Sequence, residues 1–279
     1  MTIILYNPKS RLGNNQKLLN KIEKMVRKEG HAVVFKDVLT IGDASLFLDQ
    51  FKIEDRFIIV GGDGTLHQLV NRVQIHLVKQ EVYMIQAGTG NDFLRSMDSR
   101  LKMIPVKEAL KDLPHVIENN QKQYFINGVG LGLDGYVGHI VEENRSKKTK
   151  LGFFKATLKG LKDFKPIQTK LKLDQKPFVN IDKTWLIAVM HSKYFGGGMK
   201  IAPQANRNHK TLEVVVVKKC PKWLLFIIFP TIYLGWHKIF KSYVSFYKAS
   251  EIFIQSTQKT YAQYDGEVTA ALTHLHIKR

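Results

Sequence analysis

Hydrophobic and polar positions along the first 120 residues alternate between two periods. TIILYNP (2–8) is a short apolar run ending in Asn-Pro, the pattern of a buried strand. NQKLLNKIEKMVRKEG (15–30) puts Leu18, Leu19, Ile22, Met25 and Val26 on one helical face and stops at Gly30. HAVVFKDV (31–38) predicts a second strand, residues 43–51 a helix, RFIIV (56–60) a third strand, 65–78 a helix, and VYMIQA (82–87) a fourth strand. Such alternation predicts a parallel sheet with helices on both faces. After about residue 120 the pattern changes. YFINGVGLGLDGYV (124–137), TKLKLDQK (169–176), TWLIAVMHS (184–192), TLEVVVVKK (211–219) and EIFIQS (251–256) all read as strands. Turn-rich or basic stretches separate them, which predicts a largely antiparallel β domain. Lys278 and Arg279 end a last short strand expected to return to the first domain. The predicted division is therefore 1–120, completed by 268–279, and a β-rich domain over 121–267.

The strand ends carry the candidate chemistry. In FIIVGGDGTLHQLVN (57–71), Gly61, Gly62 and Gly64 remove side chains where the chain turns sharply. Asp63 places a carboxylate in that turn, and Thr65 is suited to cap a helix beginning near Leu66. VYMIQAGTGNDFLRSM (82–97) repeats the logic with Gly88, Thr89, Gly90, Asn91 and Asp92. Asn7, Pro8, Lys9 and Ser10 follow the first strand and fall on the same carboxyl edge, where open α/β sheets bind ligands. Glycine turns close many α/β units without binding anything. Three on one edge, with hydroxyls from Ser10, Thr65 and Thr89, favour nucleotide phosphates. Neither GxxxxGK[ST] nor a GxGxxG after the first strand is present. Near the other end, Asp265-Gly266-Glu267 reads as a strand bend exposing two carboxylates, one placed as general base toward a hydroxyl, or simply as a hairpin tip. GLGLDG (130–135) sets Asp134 among glycines, which a plain turn also explains.

Composition narrows the partners. A chain of 279 residues that is 44% hydrophobic buries a sizeable core in two domains. One cysteine, Cys220, excludes an intrachain disulfide framework and suits the cytosol. The opening MTIILYNPKS lacks the basic and long apolar regions of a signal peptide. A net charge of +19 implies an anionic partner (nucleic acid, acidic membrane or phosphorylated substrate) or a generally basic solvated surface. Within the lysine-rich stretch 145–176, KLGFFKATLKGLKDF sets Leu151, Phe154, Leu158 and Leu161 beside a stripe of Lys155, Lys159 and Lys162. That pattern fits a helix on an anionic lipid surface and equally a core-packed helix with a solvated lysine face. WLLFIIFPTIYLGW (223–236) is too short to span a bilayer; a buried helix is favoured slightly over interfacial contact.

The set NPKS (7–10), GGDGT (61–65), GTGND (88–92), GGGMKIAPQAN (196–206) and DGE (265–267) resembles the soluble diacylglycerol kinase catalytic family, which includes bacterial lipid kinases, ceramide kinases and sphingosine kinases. The resemblance spans nearly the whole chain. It implies a three-layer α/β nucleotide domain, a C-terminal β-sandwich domain, and ATP in a cleft between them. The implied reaction moves the γ-phosphoryl group to a lipid hydroxyl, most directly diacylglycerol, giving phosphatidic acid. By motif, Asn7, Pro8, Lys9, Ser10, Thr40, Gly61, Gly62, Asp63, Gly64, Thr65 and Thr89 would contact the nucleotide. Glu267 would be the general base, while Asp63 and Asp134 would hold Mg²⁺ and its waters. The implied setting is cytoplasmic, reversibly associated with the anionic inner membrane surface, without nucleic acid and with a homodimer left open. Departures from the family pattern are Arg11 for a glycine, His67 and Gln68 after GGDGTL, and His209 where an acidic residue tied to a structural magnesium is expected. Alternatives are an NAD kinase, which shares GGDGT, and a catalytically weakened nucleotide or lipid sensor. A nucleic-acid binder ranks last, because no recognisable nucleic-acid module is present.

Overall fold

The computed structural model describes residues 1–9, 16–87, 91–118, 120–143 and 150–279. The chain divides into two compact units, Met1–Leu113 and Pro114–Arg279.

In the first unit, β1 (Thr2–Tyr6), β2 (Val33–Asp37), β3 (Arg56–Gly61) and β4 (Glu81–Gln86) run parallel, and β5 (Ile104–Pro105) is antiparallel to β4. Their order in the sheet is β2-β1-β3-β4-β5. Parallel neighbours need crossovers, supplied by α1 (Gln16–Lys28), α2 (Ala44–Leu48) and α3 (Asp63–Gln68). Both sheet faces are covered, which is why β1 and β3 are nearly continuous in apolar residues. Ile4, Ile58, Val60 and Ile85 pack under Leu19, Ile22 and Val26 of α1. Phe57 points to the opposite face and meets Phe51, which meets Phe47 of α2, both in edge-on geometry. The three-layer expectation holds here.

The helix expected over 65–78 begins earlier and is not continuous. Gly62 is the N-cap residue and α3 starts at Asp63. Thr65 is therefore no cap; it is buried in the first turn against Gly61, where an added Cβ would lie 2.5 Å from the Thr65 Cβ. Glycine at 61 lets the helix spring directly from the strand. A π turn follows at Leu69–Val73, then Gln74 in the left-handed region and a 3-10 turn at Ile75–Leu77.

The second unit contains β6 (His115–Glu118), β7 (Gln121–Tyr124), β8 (Gly128–Gly132), β9 (Ile167–Leu173), β10 (Val179–Met190), β11 (Leu212–Lys218), β12 (Val244–Ala249), β13 (Glu251–Tyr264) and β14 (Glu267–Lys278). All their pairings are antiparallel. Two long strands change partner midway. β10 pairs with β9 up to Thr184 and with β8 from Leu186; β13 pairs with β9 up to Ser256 and with β8 from Ala262. Pairing shifts register at those changeovers, the means by which strands turn corners between packed layers.

Three differences from the sequence reading matter. The stretch 124–137 is only half strand: after β8 the chain enters α5 (Leu133–Glu143), so Asp134 sits in the first turn of a helix. The switch is possible because Gly132 has φ +88° and Gly135 lets α5 lie against β13. The last strand is long and stays in the second unit, paired with β13 and β6, because its alternating side chains Leu275 and Ile277 belong to that unit's core. Finally, α6 (Lys150–Asp163) and α7 (Lys222–Ile232) are only partly buried. Leu161, Leu225, Ile228 and Phe229 are buried, yet Phe154, Leu158, Trp223 and Ile227 are exposed.

A Cβ at Gly135 would lie 2.5 Å from the Tyr261 carbonyl oxygen and 2.7 Å from the Ala262 nitrogen. Gly135→Ala must push α5 off β13, at an expected cost of about 1–3 kcal/mol. Urea unfolding at fixed denaturant slope measures this; an unchanged midpoint contradicts it.

Candidate functional site

In the first unit the parallel registers bring four strand ends level: Tyr6 lies beside both Asp37 and Val60, and Val60 beside Ile85. β1 has β2 on one side and β3 on the other, so the connections reverse direction there. Loops after β1 and β3 flank the crevice that such a switch point creates. Asn7, Pro8 and Lys9 form the first loop, tightened by the Lys9 N–H donating to the Asn7 Oδ1 at 2.9 Å. Gly61, Gly62, Asp63, Gly64 and Thr65 form the other. Thr40 lies after β2 on the same edge, its hydroxyl donating to the Asp37 carbonyl at 2.9 Å. Ser10 and Thr89, with Gly88, Gly90 and Arg11, lie outside the described residues.

Asp63 has a role that its position in the sequence concealed. Its Oδ2 accepts the Asp92 N–H at 2.9 Å and its Oδ1 accepts the Phe93 N–H at 3.0 Å. Those donors open α4 (Asp92–Ser96), whose first amides have no partner within the helix. One carboxylate thereby ties the glycine turn after β3 to the turn after β4. Asp92 itself is buried; the sequence places it in the GTGND turn but suggests no role for it.

The second unit gathers another set. Asp265 (φ +50°) and Gly266 (φ +95°) form a two-residue hairpin turn, with Tyr264 paired to Glu267 across it. The expectation of two exposed carboxylates is half right. Asp265 turns inward: its Oδ2 accepts from the Ile126 N–H at 2.7 Å, and its Oδ1 from the Asn127 and Gly128 N–H groups at 2.8 and 3.1 Å. Glu267 opens β14 and is exposed. Arg207 grips the same 126–127 segment from its carbonyl side, donating to the Ile126 carbonyl and, at 2.7 Å, to the Asn127 Oδ1. Gln263 bridges the turn to Asp134, donating to the Asp134 Oδ2 and accepting the Gly266 N–H, both at 2.6 Å. Gly130 is required here, since a Cβ on it would collide with the Asp134 carboxylate. Arg207, Gln263 and Asp265 were not predicted as a cluster, because the contacts that join them to residues 126–128 and to Asp134 span 80 or more positions of the chain.

Asp134 also borders an apolar cavity. Its walls include Phe153 and Leu161 of α6, Trp185 of β10, and Leu225, Ile228 and Phe229 of α7. Its interior holds only about 60 Å³ of space for a water-sized sphere, a narrow apolar gap that would have to widen to admit a ligand. Burial pushes the Asp134 carboxyl up to about 6, against the opposing effect of the Gln263 hydrogen bond. Cys220 is no nucleophile: burial raises its thiol to about 11.

The expected metal ligands do not assemble into an ion site. Among the described residues no group of three His, Cys, Asp or Glu side chains is placed to hold a metal. Both oxygens of Asp63 accept backbone N–H bonds, and Asp134 sits in apolar surroundings that disfavour its charge. His209 is exposed, and its loop is held by Arg279, which donates to the His209 carbonyl at 3.0 Å and to the Arg207 carbonyl at 2.9 Å. His67 and Gln68 are in α3, with His67 buried.

An open α/β unit with loops gathered at its switch point, followed by a β-rich unit holding an apolar cavity, defines a two-domain α/β-plus-β architecture. Comparison with known proteins gives it a family. Residues 1–125 match the diacylglycerol kinase catalytic domain, and residues 127–276 match the YegS C-terminal NAD kinase beta sandwich-like domain. A diacylglycerol kinase of Bacillus subtilis is 26% identical over 297 residues, covering 98% of this chain and 94% of that protein. One from Staphylococcus carnosus is 26% identical over 273 residues, covering 95% and 87%. Two crystal structures from Bacillus anthracis share the fold: one described as a putative diacylglycerol kinase (TM-score 0.69, 22% identity, covering 99% of this chain and 93% of that one) and one as a diacylglycerol kinase (TM-score 0.68, 20% identity, covering 99% and 92%). The chain belongs to the diacylglycerol kinase catalytic family with the YegS-type C-terminal domain.

The Asp134 environment makes a pH prediction. The folded carboxyl keeps its proton up to about pH 6, whereas the unfolded chain releases it near 3.8. Stability contributed by this group is therefore greatest at low pH and falls as the pH rises between those values, by roughly 3 kcal/mol at most. Asp134→Asn removes the slope. Denaturant titrations of both proteins across that range check it, and a pH-independent difference between them contradicts it.

Proposed function

We propose that the chain is an ATP-dependent lipid kinase that transfers the γ-phosphoryl group to the hydroxyl of a membrane lipid, with diacylglycerol as acceptor and phosphatidic acid as product. The observation that carries this reading is the apolar cavity of the second unit, lined in part by Asp134, which Gln263 links to the turn before Glu267. An acceptor with acyl chains needs apolar surroundings and a polar end; the lining offers apolar side chains and Asp134, and the narrow gap between them would have to open to admit the chains. The family relationship and the sequence motifs supply the other half. Asn7 to Lys9, Thr40 and Gly61 to Thr65, with Ser10 and Thr89, are assigned to the nucleotide.

In this reading Glu267 takes the proton of the lipid hydroxyl as its oxygen forms a bond to the γ-phosphorus. The bond from that phosphorus to the β,γ-bridging oxygen breaks, and ADP leaves. Such a transfer depends on positioning and on neutralising oxygen charge more than on covalent chemistry. Main-chain N–H groups of the glycine turns and Lys9 are assigned to the phosphates. Asp63 holds the two turns together and Asp265 fixes the hairpin, so both act by positioning. Mg²⁺ would enter only as the ion accompanying the nucleotide, where it would neutralise phosphate charge; Asp63 and Asp134, occupied as described, are not assigned to hold it. The proposed setting is the cytoplasmic face of an anionic membrane. Among the described residues no helix is long and apolar enough to cross one.

Transfer from labelled ATP to a lipid panel in mixed micelles tests the reading, with NAD as a competing acceptor. Diacylglycerol is expected to be phosphorylated and NAD not. Glu267→Gln should lower kcat by about a hundredfold or more with little change in the KM for ATP. Asp63→Asn should lower kcat/KM for ATP by loosening both turns. Phosphorylation of NAD in place of lipid, or full turnover by Glu267→Gln, contradicts the assignment.

A further inference from the structure

α7 has two apolar faces, and the core accounts for one. Leu225, Ile228, Phe229 and Ile232 point inward. Trp223, Phe226, Ile227 and, past the helix end, Leu234 recur at helical spacing on the outer side, and all are exposed. The chain then turns at Gly235 (φ +72°) into a short 3-10 turn, Trp236–Ile239, which presents Trp236 and Ile239 on the surface as well. Trp223 is 66% exposed and Ile239 67%. Isolated surface apolar residues are ordinary, but a helical stripe of large ones with tryptophans near both ends marks an interaction site.

The charges around it identify the partner. From Val214 to Ser250 the chain has six lysines (Lys218, Lys219, Lys222, Lys238, Lys241 and Lys248) and no acidic residue. Lys222, Lys238 and Lys241 are exposed at the edges of the stripe. α6 extends the surface: Phe154, exposed, meets Phe229 in a tilted arrangement at 5.8 Å between ring centroids, and Lys155 and Lys159 are exposed beside it. A second copy of this chain packed symmetrically on this face would bring the lysines toward their own copies with no acidic partner from the segment. An anionic bilayer satisfies both features at once, since indole rings settle at the headgroup level and lysines meet lipid phosphates.

We propose that the outer face of α7 and the 3-10 turn after it dock the protein on anionic lipid, the helix lying in the plane of the interface. The proposal rests on the reading that the substrate is a bilayer lipid and specifies the surface that meets the bilayer. Its geometry has a consequence: the same helix lines the apolar cavity with its inner face, so α7 is the wall separating docked lipid from the cavity. The end of α7 and the turn are also tied to the residues just before APQAN. The Lys200 N–H donates to the Ile232 carbonyl at 3.1 Å, and the buried His237 ring meets the Ile201 carbonyl at 2.8 Å.

Binding to vesicles of phosphatidylcholine, with and without phosphatidylglycerol, tests the proposal; neither diacylglycerol nor nucleotide is added, so the readout is independent of catalysis. Wild type should sediment with the anionic vesicles only. Lipids brominated on the acyl chains should quench Trp223 and Trp236 and spare Trp185, which is buried in the core. The double variant Phe226→Glu, Ile227→Glu should bind at least about tenfold more weakly. Lys238→Gln with Lys241→Gln should reduce the preference for anionic lipid. The glutamate variant should phosphorylate a short-chain, water-soluble diacylglycerol as wild type does, since neither residue lines the cavity. Equal binding to neutral and anionic vesicles, absence of quenching, undiminished binding by the glutamate variant, or self-association abolished by that variant would overturn it. Failure of wild type to phosphorylate any lipid, with vesicle binding intact, would instead count against the kinase reading.

Discussion

The second unit depends on one carboxylate. Asp265, at the tip of a hairpin, accepts hydrogen bonds from three successive main-chain amides, Ile126 to Gly128. Bonds to a charged acceptor are shorter and stronger than neutral ones, and here they fix where β8 starts. β8 carries Gly130, the space into which Asp134 folds. The same turn places Gly266 for Gln263 and Gln263 for Asp134. The left-handed backbone at Asp265 and Gly266 is the conformation that a two-residue turn between twisted strands demands. An aspartate and a glycine satisfy that demand while the aspartate still reaches inward.

Asp63 does comparable work in the first unit. It links two strand-to-helix turns by capping the start of α4. In both units a motif acid spends its oxygens on main-chain amides. Asp63 and Asp265 both hold backbone in place, whereas Glu267, two residues beyond Asp265, is exposed.

The alternating pattern of the first unit was readable because its strands are buried on both faces and α1 carries a clean stripe. The carboxyl-edge loops followed directly, since parallel strands put those ends together. What stayed hidden depends on glycines. Gly61 and Gly132 were read as turn formers, but one lets a helix begin at once and the other leads a strand into α5. The clamp of Arg207 and Asp265 on residues 126–128 joins segments far apart in the chain, which no local period reports. α7 was ambiguous for a physical reason: a helix apolar all round reads as buried, and only the fold reveals that half of it faces outward.

We propose that the second unit receives the acyl part of a lipid substrate in the narrow apolar cavity that Asp134 helps to line. Photolabelling with a monomeric, short-chain diacylglycerol carrying a diazirine on its acyl chain tests it directly, with the adducts mapped by peptide mass spectrometry. The account predicts adducts on the inward residues of α6 and α7 and on Trp185, lost when excess unlabelled lipid competes. Adducts confined to the first unit, or none that competitor displaces, would contradict it.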